Sequence, residues 1–263
     1  MNRMKRRNFI RSLSIGAAAT LAPMAMAIPR ELQGIAYEEK QMYEWQVYSL
    51  SRGAAQLDNY FQRVLIPYLN KFGVKVGAFS SYGLETPSKQ FYLLAYPNAS
   101  VYYSLKHSMW KDDSFLKEAK PYFDETASAP IYTNVEISLC EAFDALPQFR
   151  QPAAERGLFE FRVYWSPNEE ANQRKIHMFN NGEIDIFDAV KVNSVFYGEI
   201  LAGPRMNALM YMTCFKDMAS RDEAWKKFSA HPDWKRMSGM EQYKNTATNN
   251  TRIFLLPLPY SQL

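Results

Sequence analysis

The sequence has few of the residues from which metal and catalytic sites are usually built. Its 263 residues include three histidines and two cysteines. His107 and His177 have no ligand-type residue three or four positions away, and no group of His, Cys, Asp and Glu has metal-site spacing. A phosphate-binding glycine loop and a nucleophile elbow are also absent from the sequence. We therefore predict no metal, no cofactor and no catalytic residue.

The two cysteines, Cys140 and Cys214, lie in apolar, strand-like segments of different halves of the chain. An exported protein could join them in a disulfide. Neither half has a second cysteine at the matching place, so buried free thiols are the better interpretation.

Long apolar runs are missing as well. The weakly apolar residues 12–23 fall far short of the roughly 20 residues that span a bilayer as a helix. They follow Lys5-Arg6-Arg7-Asn8-Phe9-Ile10-Arg11 and precede Ala25-Met26-Ala27, an A-x-A cleavage site. This pattern is typical of a twin-arginine export signal over residues 1–27, with an ordinary secretory signal or a short anchor as alternatives. The sequence thus predicts export to the periplasm and no stable membrane span.

An excess of one charge is missing once that segment is removed. The full chain has 31 basic and 27 acidic residues, a net charge of +4. Five of the basic residues and no acidic residue lie within residues 1–27, which leaves 26 basic against 27 acidic residues. Because nucleic-acid binding depends on neutralising phosphates, a near-neutral mature chain predicts no nucleic-acid partner.

What the sequence does contain is a long internal repeat. Tyr43-Glu44-Trp45-Gln46-Val47-Tyr48 and Phe159-Glu160-Phe161-Arg162-Val163-Tyr164 both read aromatic, Glu, aromatic, polar, Val, Tyr. In each half, strand and helix patterns follow in the order β-α-β-β-α-β, the split ferredoxin-like plan. We predict an α+β fold in which two ferredoxin-like repeats pack as a pseudo-dimeric α/β barrel, since each sheet has helices on one face only.

The repeat also sets the predicted boundaries. After the signal come a lead-in over residues 28–42, the first repeat over 43–142, a linker over 143–156 and the second repeat over 157–263. The first long helix is predicted over residues 55–72. Pro67 should kink or divide it, and Gly73 should end it.

Strand alternation predicts which side chains share a face. Trp45, Val47, Phe161 and Val163 form one set, suited to packing under the helices. The opposite set would point into the space between the two sheets, the lumen of the barrel. These candidate ligand-binding residues are Glu44, Gln46, Tyr48, Glu160, Arg162 and Tyr164. In the alternative, the sheets are splayed and this set meets water.

Residues 196–234 carry a recognisable pattern. It reads Phe196-Tyr197-Gly198-Glu199, Leu201-Ala202-Gly203-Pro204-Arg205-Met206 and Tyr211-Met212, and ends Ala224-Trp225-Lys226-Lys227-Phe228-Ser229-Ala230-His231-Pro232-Asp233-Trp234. This resembles the NIPSNAP family, whose domains are ferredoxin-like and belong to the dimeric α/β-barrel superfamily. The motif residues are Tyr197, Gly203, Pro204, Arg205, Trp225, Phe228, His231, Pro232 and Trp234. The first repeat departs from the motif, since Trp110-Lys111-Asp112-Asp113-Ser114-Phe115 stands in place of its ending.

The motif residues also have an interpretation without any resemblance. Trp225, Phe228 and Trp234 are expected to pack between helix and sheet. His231, followed by a proline, is expected to cap a helix or to form a loop hydrogen bond. Arg205 is expected in a surface turn, with anion binding as the alternative.

The resemblance implies a fold more than a function. Many members of the family have no assigned chemistry, those in mitochondria are associated with vesicle and organelle turnover, and superfamily relatives include cofactor-independent monooxygenases and haem-degrading enzymes. We expect an exported protein that binds a small apolar or aromatic compound in the barrel lumen. The alternative is an enzyme that acts on such a compound with Glu160 or Glu44 as base. Assembly into a homo-oligomer stays open.

Overall fold

Eight antiparallel strands close into a barrel in the structure of this protein, a computed structural model. It describes residues 39–52, 54–84, 88–153 and 157–263, so the predicted export signal and most of the predicted lead-in lie outside the described residues. The strands are β1 Met42–Leu50, β2 Lys75–Ser81, β3 Lys89–Tyr96, β4 Tyr132–Ala142, β5 Leu158–Trp165, β6 Asn193–Ala202, β7 Ala208–Phe215 and β8 Asn249–Pro257.

The helices all lie between strands of the same half. They are α1 Ala55–Tyr60, α2 Ile66–Asn70, α3 Ala99–Ser108, α4 Asp113–Ser128, α5 Glu169–Met178, α6 Ile184–Ala189, α7 Met218–Ala230 and α8 Pro232–Ser238. Among the described residues, no helix combines the length and the apolarity that crossing a bilayer requires.

The strand order around the barrel is β1-β3-β2-β8-β5-β7-β6-β4. Each half therefore contributes four neighbouring strands in the same order, β4-β1-β3-β2 and β8-β5-β7-β6. The halves meet at two seams, where β2 pairs with β8 and β4 pairs with β6. Residues Glu39–Leu263 accordingly form one compact unit.

Both long helices are interrupted by a π-helical segment of five residues. In the first half, Phe61–Leu65 separates α1 from α2, and Pro67 follows at the start of α2. Proline has no backbone N–H to donate, and the backbone hydrogen-bond pattern changes from π to α beside Pro67. In the second half, Phe179–Glu183 separates α5 from α6, and its Gly182 has a φ of 132°, which favours glycine.

The lumen is filled mainly by apolar and aromatic side chains. Trp45 and Phe161 stack across it with ring centroids 4.1 Å apart. Tyr43 and Phe196 pack nearby with centroids 4.8 Å apart, and the buried side chain of Leu263 belongs to the same cluster. Cys140 and Cys214 lie in this cluster as buried free thiols, as predicted.

The prediction of which strand face lines the lumen was wrong. Trp45, Phe161 and Val163 belong to the lumen cluster with Val47 packed against it, whereas Tyr48 and Tyr164 pack against the helices. Glu44, Gln46, Glu160 and Arg162 share the strand faces of those two tyrosines, so all six predicted lumen residues lie on the helix side. The alternation itself holds, but in a closed barrel the lumen is the face without polar partners. Buried charges therefore lie on the other face, where the helices supply cations and donors.

Candidate ligand-binding site

A fully buried carboxylate, Glu160 of β5, is the centre of a polar network between the sheet and the helices of the second half. Its Oε1 atom lies 2.8 Å from Arg162 Nε and 3.0 Å from Arg221 Nη2. Its Oε2 atom accepts hydrogen bonds from Arg221 Nε and from Trp225 Nε1, both at 2.8 Å. Burial acts to raise the pKa of Glu160, but the hydrogen bond from Arg221 and the charge of Arg162 lower it below its ordinary value. Glu160 is thus an ionised anchor with its oxygens occupied, which does not suit the predicted role of a base.

The start of α7 places two of these donors. Asp217 caps the helix in a capping box with Ser220. Arg221 and Trp225 follow one turn apart, so they share the helix face that meets β5. The guanidinium of Arg162 lies over the Trp225 ring, 3.9 Å from its centroid. This arrangement fixes Arg162 between a carboxylate and an aromatic ring.

The network forms one wall of a pocket of about 620 Å³. Its walls combine cations, aromatic rings and amide or hydroxyl groups from β5, α5, α7, α8 and β8. The lining residues are Arg162, Tyr164, Lys175, Met178, Glu183, Arg221, Trp225, Phe228, Ser229, Trp234, Ser238, Tyr243, Asn245, Thr246, Ala247, Asn250 and Arg252. This volume lies within the range of small-molecule sites.

A buried ion pair lies on a second wall of the pocket. Lys175 Nζ is 2.8 Å from Glu183 Oε2, and the two side chains are 7% and 3% exposed. The Lys175 ammonium also lies 4.7 Å from the ring centroid of Phe179. Burial raises the pKa of Glu183 above its ordinary value, although the charge of Lys175 opposes this rise.

An exposed arginine completes the positive side of the pocket. Arg252 of β8 is the direct cross-strand partner of Arg162 in the β5–β8 register. Within the part of the chain that the structure describes, Arg252 has no carboxylate within ion-pair distance. Like charges in directly opposed positions of a sheet repel each other. The two arginines therefore concentrate positive charge at one wall.

The segment that follows the short helix α8 forms another wall of the pocket. The chain leaves α8 after Ser238, and the following segment turns at Asn245, which has a φ of 57°. Tyr243 in this segment is held by a 2.9 Å hydrogen bond between its hydroxyl and His177 Nδ1. The carbonyl of Thr246 accepts a hydrogen bond of 2.6 Å from the Ser166 hydroxyl. The wall that residues 240–247 form is therefore fixed to β5 and α5.

The first half fills the corresponding space. When the two π-helical segments are matched position by position, Leu57 corresponds to Lys175 and Leu65 corresponds to Glu183. The strand registers likewise align the pair Gln46 and Ile137 with the pair Arg162 and Arg252. Tyr132 packs edge-on against Tyr48, and Tyr122 of the longer α4 stacks on Tyr60 with centroids 4.1 Å apart. Large aromatic side chains thus occupy the place of the pocket.

The predicted residues of the first half form a separate cluster. Glu44 is fully buried and lies 2.7 Å from Lys106 Nζ and 2.7 Å from Gln46 Nε2. The hydroxyl of Tyr96 also donates to it at 3.2 Å. Gln46 Oε1 has no hydrogen-bond partner among the described residues. The structure therefore brings together Glu160, Arg162 and Tyr164, and it does not bring Glu44, Gln46 and Tyr48 to them.

Most motif residues support the pocket. Trp225, Phe228 and Trp234 pack on the helix side of the second half, as predicted, and Tyr197 lies behind them with its hydroxyl 2.7 Å from Ser194. His231 caps α8 by accepting a hydrogen bond from the Asp233 N–H at 3.3 Å, which confirms its predicted capping role, and Pro232 begins that helix. Gly203, Pro204 and Arg205 lie elsewhere, in the β6–β7 hairpin.

Sequence reasoning missed Lys175, Glu183, Arg221 and Arg252. The first two had a detectable signal, because Ala171, Lys175, Phe179 and Glu183 recur every four residues along one helix face. Charged residues within such a stripe indicate a buried pair or a site. Among the described residues, no group of three or more His, Cys, Asp and Glu side chains is placed to hold a metal ion.

Comparison with known proteins relates the second half of the chain to a protein family. Residues 159–262 match the NIPSNAP family model. Two candidate monooxygenases of known structure share the fold at 12% identity. The protein from Lactobacillus acidophilus NCFM covers 83% of this chain and 94% of its own, with a TM-score of 0.51. The protein from Fusobacterium nucleatum covers 84% and 93%, with a TM-score of 0.53.

A shorter match carries the family name. A NIPSNAP-like domain protein from Burkholderia xenovorans is 20% identical over 41% of this chain and 91% of its own, with a TM-score of 0.37. No curated protein matches the sequence. The similarity to the NIPSNAP family is therefore assigned to residues 159–262, the second half of this chain.

Proposed function

We propose that this protein binds a small aromatic compound with an acidic group in the pocket of the second half. The sequence predicted a small apolar or aromatic compound in the lumen; the proposed ligand is aromatic but also acidic, and its place is between sheet and helices. The aromatic part would pack against Trp225, Phe228 and Trp234, and the acidic group would meet Arg252 and Arg162. One site of this kind is expected per chain, because the first half fills the corresponding space.

The observation that carries this proposal is the pairing of Arg162 with Arg252. Glu160 already compensates the charge of Arg162, whereas Arg252 has no such partner among the described residues. An acidic group between the two guanidinium groups would remove their repulsion. The aromatic walls beside them would add contact area for a ring.

A pair of isosteric probes tests the proposal. We expect 2-naphthoate to bind the wild-type protein in isothermal titration calorimetry, and the neutral 2-naphthamide to bind more weakly. Arg252→Gln should weaken 2-naphthoate at least tenfold, about 1.4 kcal/mol, and should leave 2-naphthamide unchanged. Arg63→Gln is the matched control, because Arg63 is exposed on the first half.

Two outcomes would count against this function. In the first, neither probe binds at millimolar concentration. In the second, Arg252→Gln changes the affinity no more than Arg63→Gln does. Mass spectrometry of small molecules that copurify with the protein would give an independent result. An acidic aromatic compound released by the wild type and absent from Arg252→Gln would support the proposal.

A second candidate function is an enzyme that uses the same pocket. The supporting observation is Glu183, a carboxylate that lines the pocket. Burial raises the pKa of Glu183, and a raised pKa is what a proton acceptor requires. With 1-hydroxy-2-naphthoate as substrate, oxygen uptake should exceed the rate without protein and should be lost in Glu183→Gln. Uptake equal to that rate would exclude this activity for that substrate, while binding would still be tested by the naphthoate titration.

We also propose that the two halves are ferredoxin-like repeats of one ancestral unit. The shared strand order and the two aligned π-helical segments support this. Cleavage within residues 144–153 should leave the halves associated, because two strand seams join them. Halves that separate under native conditions in size-exclusion chromatography would contradict it.

Export through the twin-arginine route is a further part of the proposal. It is supported by Arg6-Arg7 before a mild apolar core and by Ala25-Met26-Ala27. Arg6→Lys with Arg7→Lys keeps the charge but loses both guanidinium groups. Export to the periplasm should then stop, and unchanged export would indicate the general secretory route.

A further inference from the structure

The barrel lumen is unequally filled at its two ends. At one end, Tyr43, Phe159 and Leu263 have no exposed surface. At the other end, Val47, Trp165 and Ile253 are only partly buried. That second end opens into a pocket of about 390 Å³, which is separate from the pocket described above.

The interior of this lumen pocket is apolar. Its floor is the stacked pair of Trp45 and Phe161, with Phe91 beside Trp45 at a centroid distance of 5.8 Å. Each of the three rings is exposed by 3% or less. A ligand would therefore contact the floor over a small area only. Aliphatic side chains form the walls above it, including Val47, Val163 and Ile253.

Two cations stand at the rim of the pocket. Arg205, in the β6–β7 hairpin, lies over the Trp165 ring at 4.5 Å and donates a hydrogen bond of 3.4 Å to Thr251 Oγ1. Lys89 begins β3 on the opposite side of the opening. Glu136 is also at the rim, so the described residues that line the opening have a net positive charge. Within the described ranges, none of the three forms an ion pair.

We propose that the lumen pocket binds a medium-chain aliphatic acid, with its chain in the lumen and its carboxylate at Lys89 and Arg205. A mainly apolar interior of about 390 Å³ with a positive rim matches an aliphatic chain that ends in an anion. This occupant differs in shape from the broad aromatic acid proposed for the second-half pocket. The two sites can therefore be tested separately.

The probe is 10-bromodecanoate, titrated below its micellar concentration while tryptophan emission is recorded. A bromine atom quenches tryptophan only at contact range, so a chain that enters the lumen should quench Trp45. We expect saturable quenching in the wild type. Trp45→Phe should lose most of this quenching, whereas Trp225→Phe should keep the same amplitude of quenching. Quenching retained in Trp45→Phe and lost in Trp225→Phe would place the probe in the other pocket and overturn the proposal.

Charge reversal at the rim tests the head group without altering the packed interior. The double variant Lys89→Glu/Arg205→Glu should raise the dissociation constant for 10-bromodecanoate at least tenfold. Lys75→Glu is the control, because Lys75 is exposed on β2 towards the other end of the barrel. Equal affinities for the double variant and the control would overturn the proposal, as would the absence of saturable quenching in the wild type.

Discussion

Lys175 and Glu183 form an ion pair at the places that Leu57 and Leu65 occupy in the first half. Both halves have a π-helical segment at this position. The second half has a charged pair there, and the first half has an apolar pair. Apolar contact is sufficient to hold such a helix on such a sheet. The charged version therefore points to a role in the pocket that it lines.

The first half supplies the design for testing this pair. Lys175→Leu alone leaves the Glu183 carboxylate buried without its cation, and we expect a loss of about 3–5 kcal/mol in the free energy of unfolding. The double variant Lys175→Leu/Glu183→Leu copies the first half, and its stability should equal or exceed that of the wild type. Urea denaturation of both variants measures the difference. A double variant as unstable as the single one would show that the pair contributes to the stability of the fold.

The fold could be predicted largely because its signals are local. Alternation and helical spacing located all eight strands, and the hexamers beginning at Tyr43 and Phe159 lie on β1 and β5, the corresponding strands of the two halves. The choice of strand face could not be made in the same way. Whether Trp45 or Glu44 faces the lumen depends on which side offers partners for a buried charge, and the partners of Glu44 and Glu160 come from distant helices.

The site was only half predictable for the same reason. Glu160, Arg162 and Tyr164 were found because they share one strand face. Arg252 is 90 positions from Arg162 in the sequence and becomes its neighbour only through the β5–β8 pairing. The pocket itself depends on α8 being shorter than α4, since an aromatic stack fills the space under the longer helix.

The second prediction concerns Arg162. Its side chain is 13% exposed and is bound to Glu160 and Tyr164. Arg162→Ala should cost about 2–3 kcal/mol, because hydrogen bonds to a buried charge are lost while Arg221 still compensates Glu160. Arg63→Ala, at an exposed arginine, should cost about 0.5 kcal/mol or less. Thermal denaturation of the two variants compares them, and equal small losses would contradict a structured network around Arg162.

At Trp225, the contribution of a hydrogen bond to stability can be measured separately from that of the aromatic ring. Trp225→Phe keeps an aromatic face for Arg162 but removes the Nε1 donor to Glu160. Trp234→Phe makes the same chemical change at a ring that packs on Phe228, where the structure shows no hydrogen bond from Nε1 among the described residues. We expect Trp225→Phe to lose about 1.5–3 kcal/mol more than Trp234→Phe in urea denaturation, the range for a hydrogen bond to a charged group. Equal losses would mean that only ring volume matters at both places.

The two pocket carboxylates should respond to pH in opposite directions. Glu160 has a pKa below its ordinary value of 4.5, so the stability it contributes is present above that pH and is lost as the pH falls through its folded-state pKa. Glu183 has a pKa above 4.5, so its contribution is present below that pH and is lost as the pH rises through its folded-state pKa. Urea denaturation of the wild type, Glu160→Gln and Glu183→Gln across this range tests both signs. On acidification below pH 4.5, Glu160→Gln should lose less stability than the wild type. As the pH rises above 4.5, Glu183→Gln should gain stability relative to the wild type. Each difference should change by at most about 1.4 kcal/mol per pH unit. Parallel curves for all three proteins would contradict the opposite environments that the structure gives to these carboxylates.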